Sequence, residues 1–469
     1  MPQLLSAIRP LYFACPTWLQ NVLISAYGVR LRVLRYGARQ RSVYAGLSQS
    51  QWQSADQLRS QQLELLTKTV TWAAEQVPFY RERGLRPKTF RSAEDLLGLP
   101  VVRKEDLKQA GKRAIADSFR HVKLQEVHTG GTTGLPLTIY CDRPTLQRNY
   151  AFFARFRDWA GAPIGARVAV FAGRPVVPPD QRKPPYWRSN WAANTKLFSS
   201  YHIGLDTVAD YARELARFQP DMIDSYPSSL RPIAEYLIRT GMRAVRPRSI
   251  ITSSETLSDE TRKLLQTAFS CPVFDHYGAA EMAAFIGQCD QGRYHVNTEF
   301  GLVEILCDGR PARPGETGEV VATGFINPVM PLIRYATGDL ATAGEGGCPC
   351  GRRFPVIDRL LGRVDDVIVT PDGRRVGRLD PIFKAVSTMS EARIVQDAVD
   401  HVRVEMVLAG PLSAAESKTL LGELQVRLGP TMRVTLQGVA AIPRTRIGKL
   451  RTVVNLLNQS RHNGPDGQQ

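Results

Sequence analysis

Helix-type and strand-type patterns alternate along most of this 469-residue chain, and this alternation restricts the fold more than any other feature. Apolar residues at three-four spacing predict one helix over SADQLRSQQLELLTKTVTWAAEQVPFYRERG, capped by Ser54 and stopped by Gly84. The short apolar runs RVAVFAG and RPRSIITSSE end in small polar residues, as strands do where they deliver loops to a site. Helices that alternate with strands in this way predict an α/β fold of layered sheets and helices.

Other segments extend the pattern. LPLTIY alternates like a strand, and the next segment, RPTLQRNYAFFARFRDWAGA, predicts an amphipathic helix with Pro144 in its first turn. SDETRKLLQTAF predicts a capped helix that begins near Ser258. The composition shifts after GRVDDVIV to a small unit of strands and helices, and the final NQSRHNGPDGQQ predicts a disordered tail. A chain of this length predicts roughly two to four domains of about 100–200 residues.

Charge and cysteine content narrow the class of protein. The formal net charge is +17, but no block of five Lys or Arg occurs, which suits polyanionic ligands and anionic surfaces and argues against a nucleic-acid-binding protein. Seven cysteines, an odd number, favour a reducing cytoplasm over a secreted disulfide framework. The apolar N-terminus is interrupted by Arg9, Pro10 and Pro16, and no run reaches the about 20 apolar residues of a membrane span. We therefore predict a helix packed on the protein body, with peripheral membrane contact as the alternative.

A loop rich in Gly and Thr, VHTGGTTGLPLTIY, lies between two strand-like runs. Thr hydroxyls and backbone N–H groups can donate to phosphate oxygens, while Gly permits unusual dihedral angles. A Walker phosphate loop is excluded, because Gly134 is followed by Leu135 and Pro136 rather than by Lys and Ser or Thr at a helix start. Taken alone, the loop predicts either another form of phosphate binding or a flexible hairpin.

A second constellation is independent of that loop. QCDQGRYH supplies Cys289 and His295, and GGCPCGR supplies Cys348 and Cys350. Three thiolates and one imidazole form a closed ligand set for structural zinc, with no open position for catalysis. The Cys-x-Cys spacing is less usual than Cys-x-x-Cys, so the residues by themselves leave zinc and free cysteines as alternatives.

Five motifs in one order resemble the adenylate-forming acyl-CoA synthetases, and within them the phenylacetate-CoA ligase family and its relatives in capsular polysaccharide biosynthesis. The motifs are TGGTTGLP (129–136), YGAAE (277–281), YATGDL (335–340), GRVDDVI (362–368) and PRTRIGKLR (443–451). The resemblance implies a large multi-sheet N-terminal adenylation domain followed by a small mobile α+β C-terminal domain. We divide the chain into an N-terminal helical extension (1–60), an adenylation core (61–363), a C-terminal lid (364–457) and the tail (458–469).

The resemblance implies ATP-dependent activation of a carboxylic acid to an acyl-adenylate, followed by thioester formation with CoA. Glu281 would bind Mg²⁺, a hard oxygen ligand for a hard cation. Asp339 would accept hydrogen bonds from the ribose hydroxyls, and Tyr277 would lie beside the adenine ring. The remaining nucleotide-binding residues that it implies are Thr129, Gly130, Gly131, Thr132, Thr133, Gly134, Ser254, Glu255, Gly278 and Arg363.

The catalytic residues implied by the resemblance are Lys449, Glu281 and Arg363, with Lys449 brought to the reacting carboxylate and α-phosphate by the C-terminal domain. Asp365 matches the hinge about which that domain turns. The acid pocket would be lined by Tyr201, Tyr226, Phe274 and Ala279, and the resemblance also implies that the Cys and His set holds zinc. Apolar lining residues do not identify the acid.

The loop departs from the family pattern at two positions. Leu135 stands where Lys or Arg is common, and Gly130 stands where Ser or Thr is usual. A cation and a donor are therefore missing from the phosphate site, which predicts weaker ATP binding or another basic residue in that role. Three alternatives stay open: transfer of the acyl group to an amine, hydroxyl or carrier protein, a zinc-containing nucleotide-binding protein without turnover, and a nucleic-acid-binding protein, which the scattered charge disfavours.

Overall fold

A computed structural model describes residues 10–128, 137–172, 176–178, 181–200, 202–204, 206–278, 280–363, 368–371, 375–376, 379, 389–429, 431–443 and 451–457. The chain forms two compact units. The first contains Met1–Leu257, Thr261–Thr337 and Ala341–Leu360, and the second contains Ser258–Glu260, Gly338–Leu340 and Leu361–Gln469.

A large mixed sheet dominates the architecture. Within the described residues it contains thirteen strands in the order β12-β11-β13-β14-β15-β10-β9-β8-β7-β6-β3-β5-β4. These strands are β3 (Val168–Phe171), β4 (Trp187–Asn190), β5 (Thr195–Phe198), β6 (Met222–Ser225), β7 (Ser249–Ser253), β8 (Val273–Gly278), β9 (Phe285–Gln288), β10 (Tyr294–Val296), β11 (Gly301–Cys307), β12 (Arg310–Pro311), β13 (Thr317–Gly324), β14 (Tyr335–Ala343) and β15 (Val356–Arg363). The block β5-β3-β6-β7-β8 is parallel, and β4 and β9 continue it antiparallel on either side. A separate antiparallel hairpin joins β1 (Gln125–His128) and β2 (Thr138–Cys141).

Helices connect these strands and cover the sheet. They are α1 (Thr17–Arg35), α2 (Ala38–Ser50), α3 (Ala55–Gln76), α4 (Pro78–Glu82), α5 (Lys104–Ala110), α6 (Arg143–Trp159), α7 (Val208–Phe218), α8 (Pro227–Thr240) and α9 (Asp259–Phe269). The predicted helix that follows Ser54 is interrupted, because Pro78 holds Val77 in an extended conformation (φ −109°, ψ 109°) between α3 and α4. The predicted cap is confirmed: Ser54 Oγ accepts from the Gln57 N–H, and the Gln57 side chain accepts from the Ser54 N–H.

Both faces of the parallel strands are buried. Ile223 and Ile250 point into a core shared with α7, α8 and α9, whereas Met222, Ile251 and Phe274 point into a core shared with α2 and α6. This alternation follows from the two-residue period of strands. The predicted α/β layers are therefore confirmed, and the near-continuous apolar character of the short strands reflects burial on both sides.

The second unit has its own core. In the part of this unit that the structure describes, four strands pair in the order β20-β19-β18-β21, with the outer two parallel to their neighbours and the central pair antiparallel. Their bounds are β18 (Met389–Ala398), β19 (His401–Leu408), β20 (Arg433–Gly438) and β21 (Val453–Asn455), and a short hairpin joins β16 (Ile368–Val369) and β17 (Arg375–Val376). The helix α10 (Ala414–Leu428) buries Leu420, Leu424 and Leu428 against Ile394 and Val404. The prediction of a small α+β C-terminal portion is confirmed.

The described helices include none that combines the length and the apolar character needed to cross a bilayer. This finding agrees with the interrupted apolar pattern of the N-terminus.

Candidate active site

The loops that follow the central parallel strands meet at one edge of the sheet. Ser225 pairs with Thr252, and Ser253 pairs with His276, so the carboxyl ends of β6, β7 and β8 lie side by side. This edge is where open α/β sheets bind ligands. The register therefore brings together the segments that carry Tyr226, Ser254 and Tyr277.

Within these segments, Tyr226 is held by two hydrogen bonds and Ser254 has an unusual backbone conformation. The Tyr226 hydroxyl donates to the Ala172 carbonyl at 3.1 Å, and the Tyr226 N–H donates to the Phe171 carbonyl at 3.2 Å. Ser254 has a φ of +69°, a conformation that non-glycine residues rarely adopt. Such strained positions concentrate at functional sites, and here the strain turns the chain sharply after β7.

Glu255 binds the start of a helix. Its carboxylate accepts from the Ser228 N–H at 3.0 Å and from the Ser228 hydroxyl at 2.9 Å, in the first turn of α8. A carboxylate at a helix N-terminus is stabilised by unpaired N–H groups and by the helix dipole. These bonds connect the loop after β7 to the loop after β6.

Glu281 lies three residues beyond the end of β8 and has a neutral donor beside it. The Tyr335 hydroxyl donates to Glu281 Oε1 at 3.2 Å, and Tyr335 is a buried residue at the start of β14. A carboxylate oxygen is also a ligand type that Mg²⁺ prefers in proteins. The hydrogen bond joins the YGAAE and YATGDL motifs in space.

The backbone after Glu281 passes unusually close to the sheet. Gly301 and Gly324 are directly paired between β11 and β13. A Cβ atom at Gly301 would lie 2.3 Å from the Ala283 carbonyl oxygen, and one at Gly324 would lie 2.7 Å from the Met282 carbonyl oxygen. Because neither position has room for a side chain, these two glycines admit the segment that fixes Glu281.

The structure describes the two strands that flank the Thr/Gly loop, whereas the loop itself and several other predicted site residues lie outside the described residues. The ends of the Thr/Gly loop are set by the antiparallel pair β1 and β2, in which His128 is opposite Thr138. Asn327 Nδ2 anchors this hairpin by donating to the Tyr140 carbonyl at 3.0 Å. The residues outside the described part are Thr129, Gly130, Gly131, Thr132, Thr133, Gly134, Leu135, Tyr201, Ala279, Asp365 and Lys449.

The remaining predicted residues are distributed along the strands. Asp339 lies in β14, directly after Gly338, whose φ is +74°. Arg363 is the last residue of β15, and its side chain is outside the described part. Gly278 ends β8, while Phe274 is buried in the core that contains α6.

The four predicted zinc ligands form one cluster. All donor atoms of Cys289, His295, Cys348 and Cys350 lie within 4.8 Å of one another. Cys289 Sγ is 3.6 Å from Cys348 Sγ, and Cys350 Sγ is 3.4 Å from His295 Nε2. In a tetrahedral zinc site with bonds of about 2.0–2.3 Å, neighbouring ligand atoms lie about 3.5–3.8 Å apart. These two separations are close to that range, and the donor chemistry is that of a closed zinc site.

Burial and neighbouring charges shift the pKa values of the residues in this cluster in different directions. Burial, together with the charge of Arg352, lowers the pKa of His295 to about 4, so its imidazole is neutral and able to bind a metal. Burial raises the pKa of Cys289 to about 12. Burial also acts to raise the pKa of Cys350, but hydrogen bonds from Arg352 outweigh it and lower that pKa.

Sequence reasoning missed two residues at the edge. Tyr335 carries the contact to Glu281, and its signal was the YATGDL motif itself. His276 is fully buried, with its ring centroid 4.4 Å from that of Phe285 and 4.9 Å from that of Phe153. Burial lowers its pKa to about 3, which makes it a neutral packing residue behind Tyr277. A histidine between strand residues gives no sequence signal for this role.

The sequence of the chain is similar to known proteins along most of its length. A family model for the CapK C-terminal domain matches residues 368–456. Protein CapK of Staphylococcus aureus is 28% identical over 364 residues, which cover 76% of this chain and 79% of that protein. A phenylacetate-coenzyme A ligase of Thermus thermophilus is 26% identical over 448 residues, which cover 86% of this chain and 97% of the ligase.

The solved structures agree in fold. A 2-hydroxyisobutyryl-CoA ligase in the postadenylation state superposes with a TM-score of 0.67 at 20% identity, covering 88% of this chain and 94% of that one. The chain shares the fold of this CoA ligase, and its sequence relatives support an enzyme of the ligase type. In sequence it is similar to CapK and to the phenylacetate-CoA ligases.

Proposed function

We propose that this enzyme uses ATP to convert a carboxylic acid into an acyl-adenylate, and then transfers the acyl group to CoA. The observation that carries the proposal is the convergence of the loops after β6, β7 and β8 on one sheet edge, with Glu281 held there by Tyr335. Similarity over 97% of a phenylacetate-CoA ligase supports the same reaction class.

The proposed reaction has two steps. A carboxylate oxygen attacks the α-phosphorus of ATP, the bond from that phosphorus to the bridging oxygen breaks, and pyrophosphate leaves. The thiolate sulfur of CoA then attacks the acyl carbonyl, and AMP leaves with the electron pair of the broken carbon–oxygen bond. The first step brings two anions together, so groups that neutralise the phosphates dominate its barrier.

The residues have distinct roles in this proposal. Glu281 would hold Mg²⁺, which neutralises phosphate charge when bound. Asp339 would accept the ribose hydroxyls, Tyr277 would lie against the adenine, and Lys449 would neutralise the charge between carboxylate and α-phosphate. The Thr/Gly loop would supply the hydroxyls and N–H groups that bind the outer phosphates.

The role of Tyr335 can be tested by measuring how the adenylation half-reaction depends on the Mg²⁺ concentration. Tyr335→Phe removes the hydroxyl that donates to Glu281 Oε1, so Glu281 loses one of the contacts that orient it. We expect the Mg²⁺ concentration for half-maximal exchange of labelled pyrophosphate into ATP to rise about tenfold, the usual order for loss of a ligand-orienting partner. Tyr211→Phe is the matched control, because that buried hydroxyl donates to the Ser199 carbonyl at 2.7 Å in another core. An unchanged magnesium midpoint in Tyr335→Phe would refute the positioning role.

The adenylation step itself is tested by acid-dependent exchange of labelled pyrophosphate into ATP across a panel of aryl and fatty acids. We expect exchange with some acids, and a fall of about 100-fold or more in Lys449→Ala, because a cation at the reacting phosphate is lost. Lys418→Ala, at an exposed position of α10, is the matched control and should exchange like the wild type. Binding of ATP without exchange for any acid would overturn adenylation.

A second set of acceptors is favoured by the match to the CapK C-terminal domain, since this family model covers the portion predicted to act in acyl transfer. A hydroxyl, an amine or a carrier-protein thiol would then replace CoA. Acid-dependent AMP release separates these possibilities. Release that requires CoA supports the first proposal, and release that requires a carrier protein, amine or sugar supports the second.

We also propose that Cys289, His295, Cys348 and Cys350 hold a structural zinc ion. Cys289 lies at the end of the β9–β10 hairpin, and Cys348 and Cys350 lie in the connection from β14 to β15. One ion would therefore join two connections of the large sheet that are about 60 residues apart in sequence. With four protein ligands the ion has no open position, so its contribution is to stability.

A further inference from the structure

Helix α1 packs on the protein through its polar and small residues. The buried Gln20 side chain donates to the Cys15 carbonyl at 2.8 Å and accepts from Arg188 Nε. Gly28 lies so close to Asn190 that a Cβ atom would be 2.3 Å from its side-chain oxygen. The inner face of α1 is thus fixed by hydrogen bonds and close approach, and near its end Leu34 packs against the core of α2 and α6.

A set of apolar residues of α1 points the other way and is exposed. Trp18 is 65% exposed, Val29 is 53% exposed and Val33 is 57% exposed. Together with Val22 they stand at helical spacings that place them on one stripe. Trp191 is 62% exposed and lies next to α1, because its backbone N–H donates to Ser25 Oγ of that helix. We name this set, Trp18, Val22, Val29, Val33 and Trp191, the α1 outer face.

An apolar surface of this kind is unfavourable in water and marks an interaction site. The surrounding charge indicates the partner. The first 55 residues contain six arginines and no Asp, Glu or Lys. The arginines are Arg9, Arg30, Arg32, Arg35, Arg39 and Arg41. Self-association through this face would bring two such positive segments together, whereas an anionic surface would neutralise them.

We propose that the α1 outer face docks on an anionic membrane surface. A helix of 19 residues is about 28 Å long and can lie along the interface without crossing it. Two exposed tryptophans are the residues that membrane–water interfaces favour, and the arginines that follow the stripe meet anionic headgroups. The surface is independent of the residues proposed for adenylation.

Vesicle sedimentation of the full chain tests this proposal. We expect the wild type to bind vesicles that contain about one third phosphatidylglycerol at least about tenfold more strongly than phosphatidylcholine vesicles, and to be released by salt. The triple variant Trp18→Ser, Val29→Ser, Val33→Ser should bind the anionic vesicles about tenfold less. Arg39→Gln with Arg41→Gln should weaken binding to anionic vesicles and leave binding to neutral ones unchanged.

The control is Val122→Ser with Ile164→Ser, which removes two exposed apolar side chains elsewhere and should bind like the wild type. Equal pyrophosphate exchange by all variants shows that they are folded. Equal vesicle binding by the triple variant, or no vesicle binding by the wild type, overturns the proposal. A wild-type dimer that the triple variant abolishes, seen by light scattering without vesicle binding, would instead assign the face to a second copy.

Discussion

Cys348→Ser is expected to remove zinc from the protein and to lower its stability more than any other single change proposed. The wild type should contain about one zinc per chain after dialysis, and the variant almost none, because serine is a poor ligand in a site of three sulfurs and one nitrogen. The free energy of unfolding should fall by about 4 kcal/mol or more, since metal binding at a closed site is folding free energy. Elemental analysis and urea unfolding measure the two effects.

Cys271→Ser provides the comparison. Cys271 is also buried, but it lies in the core of α7, α8 and α9, away from the Cys and His cluster. We expect it to keep its zinc and to lose only the stability due to a buried hydroxyl. Wild-type protein that contains no zinc after growth in zinc-supplemented medium, or a Cys348→Ser variant that retains it, would contradict the zinc site.

Arg155→Met is expected to lower the free energy of unfolding by about 3–5 kcal/mol, the usual effect of breaking a buried ion pair. Arg155 binds both oxygens of Glu299, at 3.0 Å and 3.2 Å, and also donates to the Leu47 carbonyl at 3.0 Å. Ser50 Oγ donates to Glu299 Oε1 at 2.6 Å. The pair is almost fully buried, so removal of the arginine leaves an uncompensated carboxylate between α2 and α6.

The matched control is Arg113→Met. Arg113 pairs with Glu82 at 3.0 Å, but both side chains are more than half exposed. Exposed pairs contribute at most about 1 kcal/mol. Urea unfolding followed by tryptophan fluorescence should therefore separate the two variants clearly. Equal midpoints for Arg155→Met and Arg113→Met would show that the buried pair is not a major source of stability.

The same pair predicts the sign of a pH effect. Burial acts to raise the pKa of Glu299, but the Arg155 guanidinium and its hydrogen bonds outweigh burial and hold that pKa below the ordinary value of 4.5. The folded chain therefore binds fewer protons there than the unfolded chain. The stabilisation is fully present above about pH 4.5 and is lost as the pH falls through the lowered folded-state pKa. The difference between wild type and Arg155→Met should shrink over that range.

Local patterns in the sequence predicted much of the fold. The Ser54 cap, the strand after the Thr/Gly loop and the helix with Pro144 in its first turn all follow from short-range chemistry, and the structure confirms them. The helix through Gly84 was wrong at one point, because Pro78 disfavours helical geometry at the residue before it. A stricter use of that rule would have placed the break.

Long-range contacts were beyond prediction. The Arg155–Glu299 pair joins residues 144 positions apart, and nothing near either residue signals the other. The facing pair Gly301 and Gly324 follows from the register of β11 and β13, which local patterns do not specify. The Cys and His cluster was predictable because its ligand chemistry is specific even when its two halves are far apart in sequence.

The position of α1 against β4 has a consequence for aggregation. β4 is the last strand of the large sheet in the described chain. The outward N–H group of Ser189 in β4 donates to Asn21 Oδ1 at 2.9 Å, and that of Trp191, directly after β4, donates to Ser25 Oγ at 3.0 Å. An uncovered edge strand pairs readily with strands of other molecules. The N-terminal segment therefore prevents β4 from pairing with strands of other molecules. A fragment that lacks this segment would expose the edge of the sheet and would aggregate more readily.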